Sequence, residues 1–458
     1  MIYITVGYYF FVAFLVLMYY IVSIKYRWIV LLIGNLSFYV LFYQKAWHII
    51  FATFCITFLI GKLMDNPRFR TMLLALGVLT IVLPWAFYKI DFLHGSIIAP
   101  LGISFYSLQL IAYLVDVYKG KIVAESNIFK FVLFAGFFPQ IVQGPIPRYK
   151  NLQSQLTNGN YFDERKISEG FLYIIWGFFL KMMIADRAAV VVDTVFDNYQ
   201  AYKGGYIWLG AFLYSIQLYT DFYSCTSLAK GVSKLFGIEL VDNFARPYFA
   251  SSVRDFWKRW HISLSSWLKD YIYIPLGGSR KGLLRKSVNL LITFMVSGVW
   301  HGAGVNFLMW GILHAFMQII ESFEGKRSFN SSLVKALIRI RTLLFVGGAW
   351  VIFRASNLAV GISMLRDMFI VWNPWIFFND RVFSLGLDWK EMVLLFVSIA
   401  LLFWVDLCNE RGDSVLRKIL EQKFVIRYFI YVFAIILIAI YGAYGYGYDS
   451  QEFIYGGF

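Results

Sequence analysis

The chain of 458 residues is 60% hydrophobic and 20% aromatic but only 15% charged, whereas a soluble domain is nearer half apolar and a quarter charged; its repeated apolar runs of membrane-crossing length exclude a soluble fold and make it an all-α polytopic membrane protein. A membrane β-barrel is excluded as well, because short strands alternating polar and apolar residues are missing from the pattern. The net charge of +15 does not call for nucleic acid: Lys and Arg cluster in the connections between apolar runs, where the positive-inside rule and anionic lipid headgroups account for them.

In chain order, the apolar runs predict spans at 2–23, 27–44, 47–61, 71–90, 96–118, 127–143, 168–186, 205–229, 287–303, 304–322, 336–354, 390–406 and 428–447. The first, from Met1 to Ile21, lacks a basic leading segment and a small-residue cleavage site, so it reads as a retained helix and not a removable signal. Lys25 and Arg27 follow it, Lys62, Arg68 and Arg70 follow the third run, and Lys119, Lys121 and Lys130 follow the fifth. The alternate connections, around Lys45 and over Lys89–His94, are poorer in charge. This bias places the N-terminus outside the cytoplasm and the basic connections within it.

The run 127–143 disturbs the alternation, because a full crossing would put the charged stretch Arg148–Lys166 outside. Its continuation, Phe137-Phe-Pro-Gln-Ile-Val-Gln-Gly-Pro-Ile-Pro147, carries the prolines and glycine of irregular backbone. The expectation is a re-entrant segment that dips in and returns, provided other protein covers its backbone groups. The connection 230–286, Glu324–Arg327 and Arg411–Arg427 are then cytoplasmic, and the loop 355–389 and the C-terminus are outside. Within 230–286, residues 251–275 read as one amphipathic helix at the membrane boundary. Phe256, Trp260 and Leu264 recur at spacing four, with Arg254, Lys258 and Lys269 on polar faces.

Five histidines are candidates for chemistry. His301 sits beside the glycine break Gly302-Ala-Gly304 near the end of an apolar run, where an ionisable side chain is costly and a functional candidate by default. It reads either as a buried histidine bonded to a carbonyl or as a group facing a substrate cavity, and the small-residue break favours the cavity. His261 reads on composition alone as an anchor on the polar face of the interfacial helix. His314 suits an inter-helix hydrogen bond, while His48 and His94 lie at span ends and carry no assigned role. Asp116, Asp186, Asp221 and Asp255 lie near helix ends; Asp221 shares a helix face with Gln217, and pairing with bases such as Arg187 or Arg254 is expected. Cys55, Cys225 and Cys408 are scattered and form neither a disulfide framework nor a metal spacing. No phosphate loop is present, no His/Cys/carboxylate set suits a metal, and Ser104, Ser263 and Ser297 lack a Gly-x-Ser-x-Gly setting.

Arg254-Asp-Phe-Trp-Lys-Arg-Trp-His-Ile-Ser-Leu-Ser-Ser-Trp-Leu-Lys-Asp-Tyr-Ile-Tyr-Ile-Pro-Leu-Gly-Gly278, followed by Ser297-Gly-Val-Trp-His-Gly-Ala-Gly304, resembles the membrane-bound O-acyltransferase (MBOAT) family. So do Pro100-Leu-Gly-Ile-Ser-Phe-Tyr-Ser-Leu-Gln109, Phe137–Arg148, Asp221-Phe-Tyr-Ser224 and Asn243-Phe-Ala-Arg-Pro-Tyr248. The wording is nearest the bacterial alginate O-acetyltransferase branch, and Phe453-Ile-Tyr-Gly-Gly-Phe458 is similar to that branch's aromatic tail. The resemblance runs from about residue 95 to the C-terminus. It implies a single domain over 1–458: N-terminal helices 1–95, a core 96–354 with the catalytic motifs, and C-terminal helices 355–458. The implied architecture is a ring of roughly eleven transmembrane helices with re-entrant and interfacial pieces, at home in the bacterial plasma (inner) membrane.

By position, His301 matches the family's near-invariant histidine and His261 its second polar position. The resemblance implies a cytoplasmic acyl-thioester donor, acetyl-CoA in this branch, with no bound cofactor and no metal. His301 would be general base on an acceptor hydroxyl, and the His261 ring or backbone N–H groups would face the oxyanion. Lys258, Arg259 and Lys269 suit a donor's phosphates and suit lipid headgroups equally. The acceptor would be an extracytoplasmic polysaccharide, reached directly or through a partner transferase of SGNH type. Two other readings stay open. One is D-alanyl transfer to teichoic acid from a carrier protein. The other is a transporter with a histidine proton relay, though no inverted repeat with paired broken helices supports it.

Overall fold

The computed structural model describes residues 3–43, 46–89, 100–324 and 331–444. Lys45, His94, the pair Lys326 and Arg327, and the aromatic tail 453–458 lie outside these residues. The described residues form helices and no strand. The helices are α1 Val6–Ile21, α2 Arg27–Phe42, α3 Trp47–Leu63, α4 Arg70–Lys89, α5 Ile103–Tyr118, α6 Ile128–Ala135, α7 Tyr149–Thr157 and α8 Glu164–Phe178. After a π-helical turn over Phe179–Ala185 come α9 Asp186–Asp197, α10 Gly205–Leu235, α11 Val253–Arg259, α12 Ile262–Leu268, α13 Gly282–His301 and α14 Val305–Glu324. The chain continues through α15 Ser332–Arg354, α16 Leu358–Ile370, α17 Trp389–Glu410, α18 Val415–Leu420 and α19 Phe424–Tyr441.

Among the described residues six helices are long and apolar enough to cross a membrane: Ile24–Phe42, α4, α13, α15, α17 and α19. Helices α1, α3 and α5 are apolar but shorter. Polar caps mark several ends. Asn127 Oδ1 accepts from the Phe129 and Lys130 amides to start α6, and Asp388 and Glu391 form a reciprocal capping box at the start of α17. The connection 355–389, expected as loop, contains the thirteen-residue helix α16, capped by Asn357. Its buried side is only four residues, Gly361, Met364, Asp367 and Met368, a face too narrow and mixed to stand out from the sequence.

The described residues fall into two compact units. The first comprises Met1–Ile174 with Cys225–Asp242, and it contains the segment expected to be re-entrant. Helix α6 is eight residues long, about 12 Å at 1.5 Å per residue, well short of a hydrocarbon core of about 30 Å. The chain then leaves helical geometry. Its carbonyls are taken up one by one by buried side chains: Leu133 by Asn35 (3.2 Å), Phe134 by Gln109 (2.8 Å), Gly136 by Tyr39 (3.3 Å) and Phe138 by Tyr3 (2.7 Å). Asn35 also accepts from the Phe138 amide at 2.9 Å. Irregular backbone survives away from water only when protein satisfies it in this way. In the same unit α8 crosses the end of α10 at Gly170 and Gly231, where a Cβ on Gly231 would lie 2.7 Å from the Gly170 carbonyl oxygen.

The second unit comprises Ile175–Ser224 with Asn243–Ile454 and holds the residues singled out for chemistry. Helices α13 and α14 form its tightest crossing. A Cβ on Gly298 would come within 2.5 Å of the Phe307 carbonyl oxygen, and one on Gly311 within 2.3 Å of that of Phe294. Two backbones that close leave room for hydrogen alone.

Candidate active site

His301 is the last residue of α13 and is buried. The Gly302 amide bonds back to the Gly298 carbonyl at 3.1 Å, and Gly302 then leaves in extended conformation. A Cβ there would fall 2.3 Å from the Phe307 ring. The glycine break noted in the sequence is therefore a packing requirement that lets the chain reverse into α14 immediately after the histidine. The imidazole meets Trp300, Trp310 and Phe353 at centroid distances of 4.8, 5.1 and 5.4 Å, each ring edge-on.

His261 overturns the expectation of one amphipathic helix over 251–275. Trp260 is extended at φ −104°, His261 is left-handed at φ 43°, and the chain resumes as α12, passing into a π-helical turn at Lys269–Tyr273. Few residues other than glycine adopt that backbone, and those that do commonly serve a site that holds them there. Phe256, Trp260 and Leu264 are all buried despite the break, so their spacing of four reflected burial on both sides of it and not one continuous helix. His261 itself is buried, 1% exposed, which replaces the reading of a surface anchor. Burial pushes its imidazole down to about 3, so the ring is neutral.

The break is held from outside. Asn243 accepts from the Ser263 amide through Oδ1 and from the Ile262 amide through its carbonyl, both at 3.0 Å. It thereby caps α12, which His261 does not do with its own side chain. The Ala245 amide donates to the Arg259 carbonyl at 2.9 Å. Glu410, at the end of α17, accepts from Arg259 at 2.8 and 3.0 Å and from Arg246 at 2.8 Å, and Asp255 pairs with Arg259 at 3.2 Å. From α14, Glu321 accepts from the Val253 and Arg254 amides at 2.7 and 3.0 Å, a carboxylate cap on α11. His314 Nδ1 accepts from the Trp257 indole at 3.1 Å, the inter-helix bond expected for it.

Both histidines meet one indole. Trp300 lies 4.8 Å from the His301 ring and 6.1 Å from that of His261, which also meets Phe222 edge-on at 4.6 Å. The structure thus brings His261 and His301 to a common aromatic wall. A buried, neutral His261 beside a buried imidazole at a helix end is an arrangement suited to moving a proton away from bulk water. Of the three basic candidates, Arg259 is committed to Glu410 and Asp255, while Lys258 and Lys269 are exposed. Among the described residues no group of three His, Cys, Asp or Glu side chains comes together to hold a metal.

Asp221 pairs with Lys181 at 2.7 Å, a partner the sequence reading did not name, and Lys181 also binds Asp186 at 2.8 Å. All three are buried. Arg187 instead donates to the Met182 and Tyr441 carbonyls. Lys181 was missed although an ammonium within Phe178-Phe-Leu-Lys-Met-Met183 is a conspicuous charge at membrane depth. Its place on a π-helical turn explains how Asp186 and Asp221 reach one nitrogen. Asn243, Glu321 and Glu410 act through backbone or long-range pairs. Only Asn243 lay inside a motif quoted from the sequence.

A model of the MBOAT family, membrane-bound O-acyltransferases, matches residues 122–365, a stretch that contains every residue of this site except Glu410. The chain is 34% identical over 406 residues to the probable alginate O-acetylase AlgI of Pseudomonas putida, covering 84% of this chain and 83% of that protein. It is 36% identical over 309 residues to the peptidoglycan O-acetyltransferase of Helicobacter pylori, covering 61% and 59%. Similarity extends at 29% over 249 residues to the teichoic acid D-alanyltransferase of Bacillus subtilis, covering 50% and 61%.

Proposed function

The chain belongs to the membrane-bound O-acyltransferase family and is an O-acyltransferase, and from that premise we propose that it takes an acetyl group from a cytoplasmic acetyl-thioester, acetyl-CoA, for O-acetylation of an extracytoplasmic polysaccharide. Acetyl over D-alanyl is supported by the higher identity of the O-acetylating relatives and the larger share of this chain that they match. The protein would be a multi-pass component of the bacterial inner membrane with about eleven crossings and both termini outside, as the alternation of basic connections suggests. It would complete the polymer ester itself or hand the acetyl group to an SGNH-type partner.

The observation that carries the mechanism is the convergence of His301 and His261 on Trp300 in a buried aromatic pocket. His301 would take the proton of the acceptor hydroxyl, which is a poor nucleophile until that proton leaves. His261, kept neutral by burial, would stand beside it without competing for that proton. Exclusion of water protects the thioester and strengthens each polar contact. Lys258 and Lys269, exposed on the connection that bears His261, would attract the donor's phosphates, with Arg259 bracing the connection.

The test is release of free thiol by purified protein given labelled acetyl-CoA with mannuronate oligosaccharide or glycan strands. Release with label appearing on a glycan supports the reading. Inertness toward acetyl-CoA, alongside consumption of a D-alanyl carrier thioester, would move the chain to the D-alanyl reading. Inertness toward both donors would remove the enzymatic mechanism.

A further inference from the structure

We propose that the Ser297 hydroxyl and the Trp310 indole N–H are the two donors that hold the carbonyl oxygen of the acyl group during transfer. The proposal rests on the reading of the chain as a thioester-using acetyltransferase with His301 as base.

Ser297 lies four residues before His301 on α13, so the two side chains share one helix face. Several helical Ser and Thr residues elsewhere donate their hydroxyls to the preceding turn, although the buried Ser107 and Ser227 hydroxyls, like that of Ser297, find no partner among the described residues. Thr293 donates to Asn289 at 2.6 Å, and Ser215, Thr220 and Ser233 donate to Ala211, Ile216 and Ala229 at 2.8 Å. Ser297, which is 0% exposed, has no partner for its hydroxyl among the described residues. Trp310, also 0% exposed, packs edge-on against the His301 ring at 5.1 Å, and its Nε1 finds no acceptor among the described residues. Two other indoles do find one, Trp257 donating to His314 at 3.1 Å and Trp208 to the Met368 carbonyl at 2.9 Å, whereas that of Trp85, like that of Trp310, finds none among the described residues. An indole N–H can only donate, and a buried donor without an acceptor costs folding free energy. Two such donors flanking one base have a use if an oxygen is to arrive between them.

Their mutual placement is fixed by the tightest contact of the hairpin. Gly298 follows Ser297 and Gly311 follows Trp310, and these glycines are where α13 and α14 touch backbone to backbone. Donors on such a contact need little reorganisation when charge develops, which is the condition for effective oxyanion stabilisation.

In the step, the acceptor hydroxyl oxygen attacks the thioester carbonyl carbon, forming a C–O bond while its proton passes to His301. The carbonyl π pair moves onto the carbonyl oxygen, and that oxyanion accepts from Ser297 Oγ and Trp310 Nε1. On collapse the C=O bond re-forms and the C–S bond breaks, and the thiolate leaves with the proton returned by His301. The products are an acetyl ester and a free thiol.

The experiment compares purified wild type with Ser297→Ala and Trp310→Phe, using labelled acetyl-CoA and whichever glycan acceptor gives the highest wild-type rate. Each variant is expected to lose about 10²–10³-fold in kcat, the usual effect of removing one oxyanion donor. KM for acetyl-CoA and the pH profile should be unchanged, because donor binding and the base remain. Ser297→Ala favours the helix and tests the donor without disturbing the fold. Replacing Trp310 with β-(3-benzothienyl)alanine, which exchanges N–H for sulfur within the same ring outline, should reproduce the loss seen for Trp310→Phe and separate hydrogen bonding from packing. Undiminished kcat in Ser297→Ala or in the benzothienyl variant, beside an active wild type, overturns this proposal alone. A wild type that leaves acetyl-CoA intact removes the acetyl-transfer reading and this proposal with it.

Discussion

His301 ends an unbroken helix of twenty residues, whereas His261 stands in a break between two helices of seven, with its backbone in the left-handed region. The first is positioned by closeness: Gly298, Gly302 and Gly311 bring backbone and rings to distances that admit no side chain. The second is positioned by tethers: Asn243 caps the following helix, Glu321 caps the preceding one, and Glu410 grips Arg246 and Arg259. Close packing has few states and resists change as a unit. Tethers are separable and can be loosened one at a time. The contrast suits the proposed base, which must not move, beside a connection whose exposed Lys258 and Lys269 would meet the proposed donor.

Breaking the packed region should cost most. Gly311→Ala would set a methyl group 2.3 Å from the Phe294 carbonyl oxygen, so α13 and α14 must part, at a cost of about 1–3 kcal/mol or more. The yield of monodisperse protein in detergent should collapse, whereas Gly7→Ala, with nothing within 4 Å of the added atom, should be tolerated. Equal behaviour of the two variants would dismiss closeness as the positioning device.

Loosening a tether should cost less. Asn243→Ala removes the side-chain cap of α12 and should lower stability by about 1–2 kcal/mol, read as a lower unfolding midpoint. Turnover should fall as well, because His261 loses the restraint on its left-handed backbone. A variant with normal stability and turnover would show that the cap is incidental.

The smallest effect is one of pH. Burial takes the folded His261 down to about 3 from the ordinary imidazole value of 6.5, so between those limits the unfolded chain binds a proton that the folded chain does not. Stability from this residue is therefore full above about pH 6.5 and is lost as pH falls below it, by about 1 kcal/mol at pH 5.5. His261→Gln should shallow the fall in unfolding midpoint between pH 7 and pH 5.5. An unchanged slope would mean that the imidazole is not buried as described.

Much of this was legible in the sequence, for physical reasons. Runs long enough to cross hydrocarbon announce helices whatever their packing, and an irregular segment was visible in Pro139, Gly144, Pro145 and Pro147 because each removes a donor or frees the backbone. His301 stood out because charge is costly at depth. The break at His261 was hidden: the run from Arg254 to Pro275 contains no glycine and no proline before Pro275, and the left-handed turn is enforced by Asn243, eighteen residues away in sequence. Helix α16 escaped because its buried face is short, and the pairing of Lys181 with Asp186 and Asp221 is set by a π-helical turn that does not follow the α-helical period. Local chemistry can be read from a sequence, whereas conformations imposed from a distance need the partner to be known first.

The most direct test of the account is the rate of acetyl-thioester consumption by purified His301→Ala beside wild type, with the unfolding midpoint of each measured in the same detergent. The account predicts a loss of about 10²–10⁴-fold, the usual worth of a positioned general base, in a protein that unfolds where the wild type does. A folded variant that still turns over near the wild-type rate would contradict it.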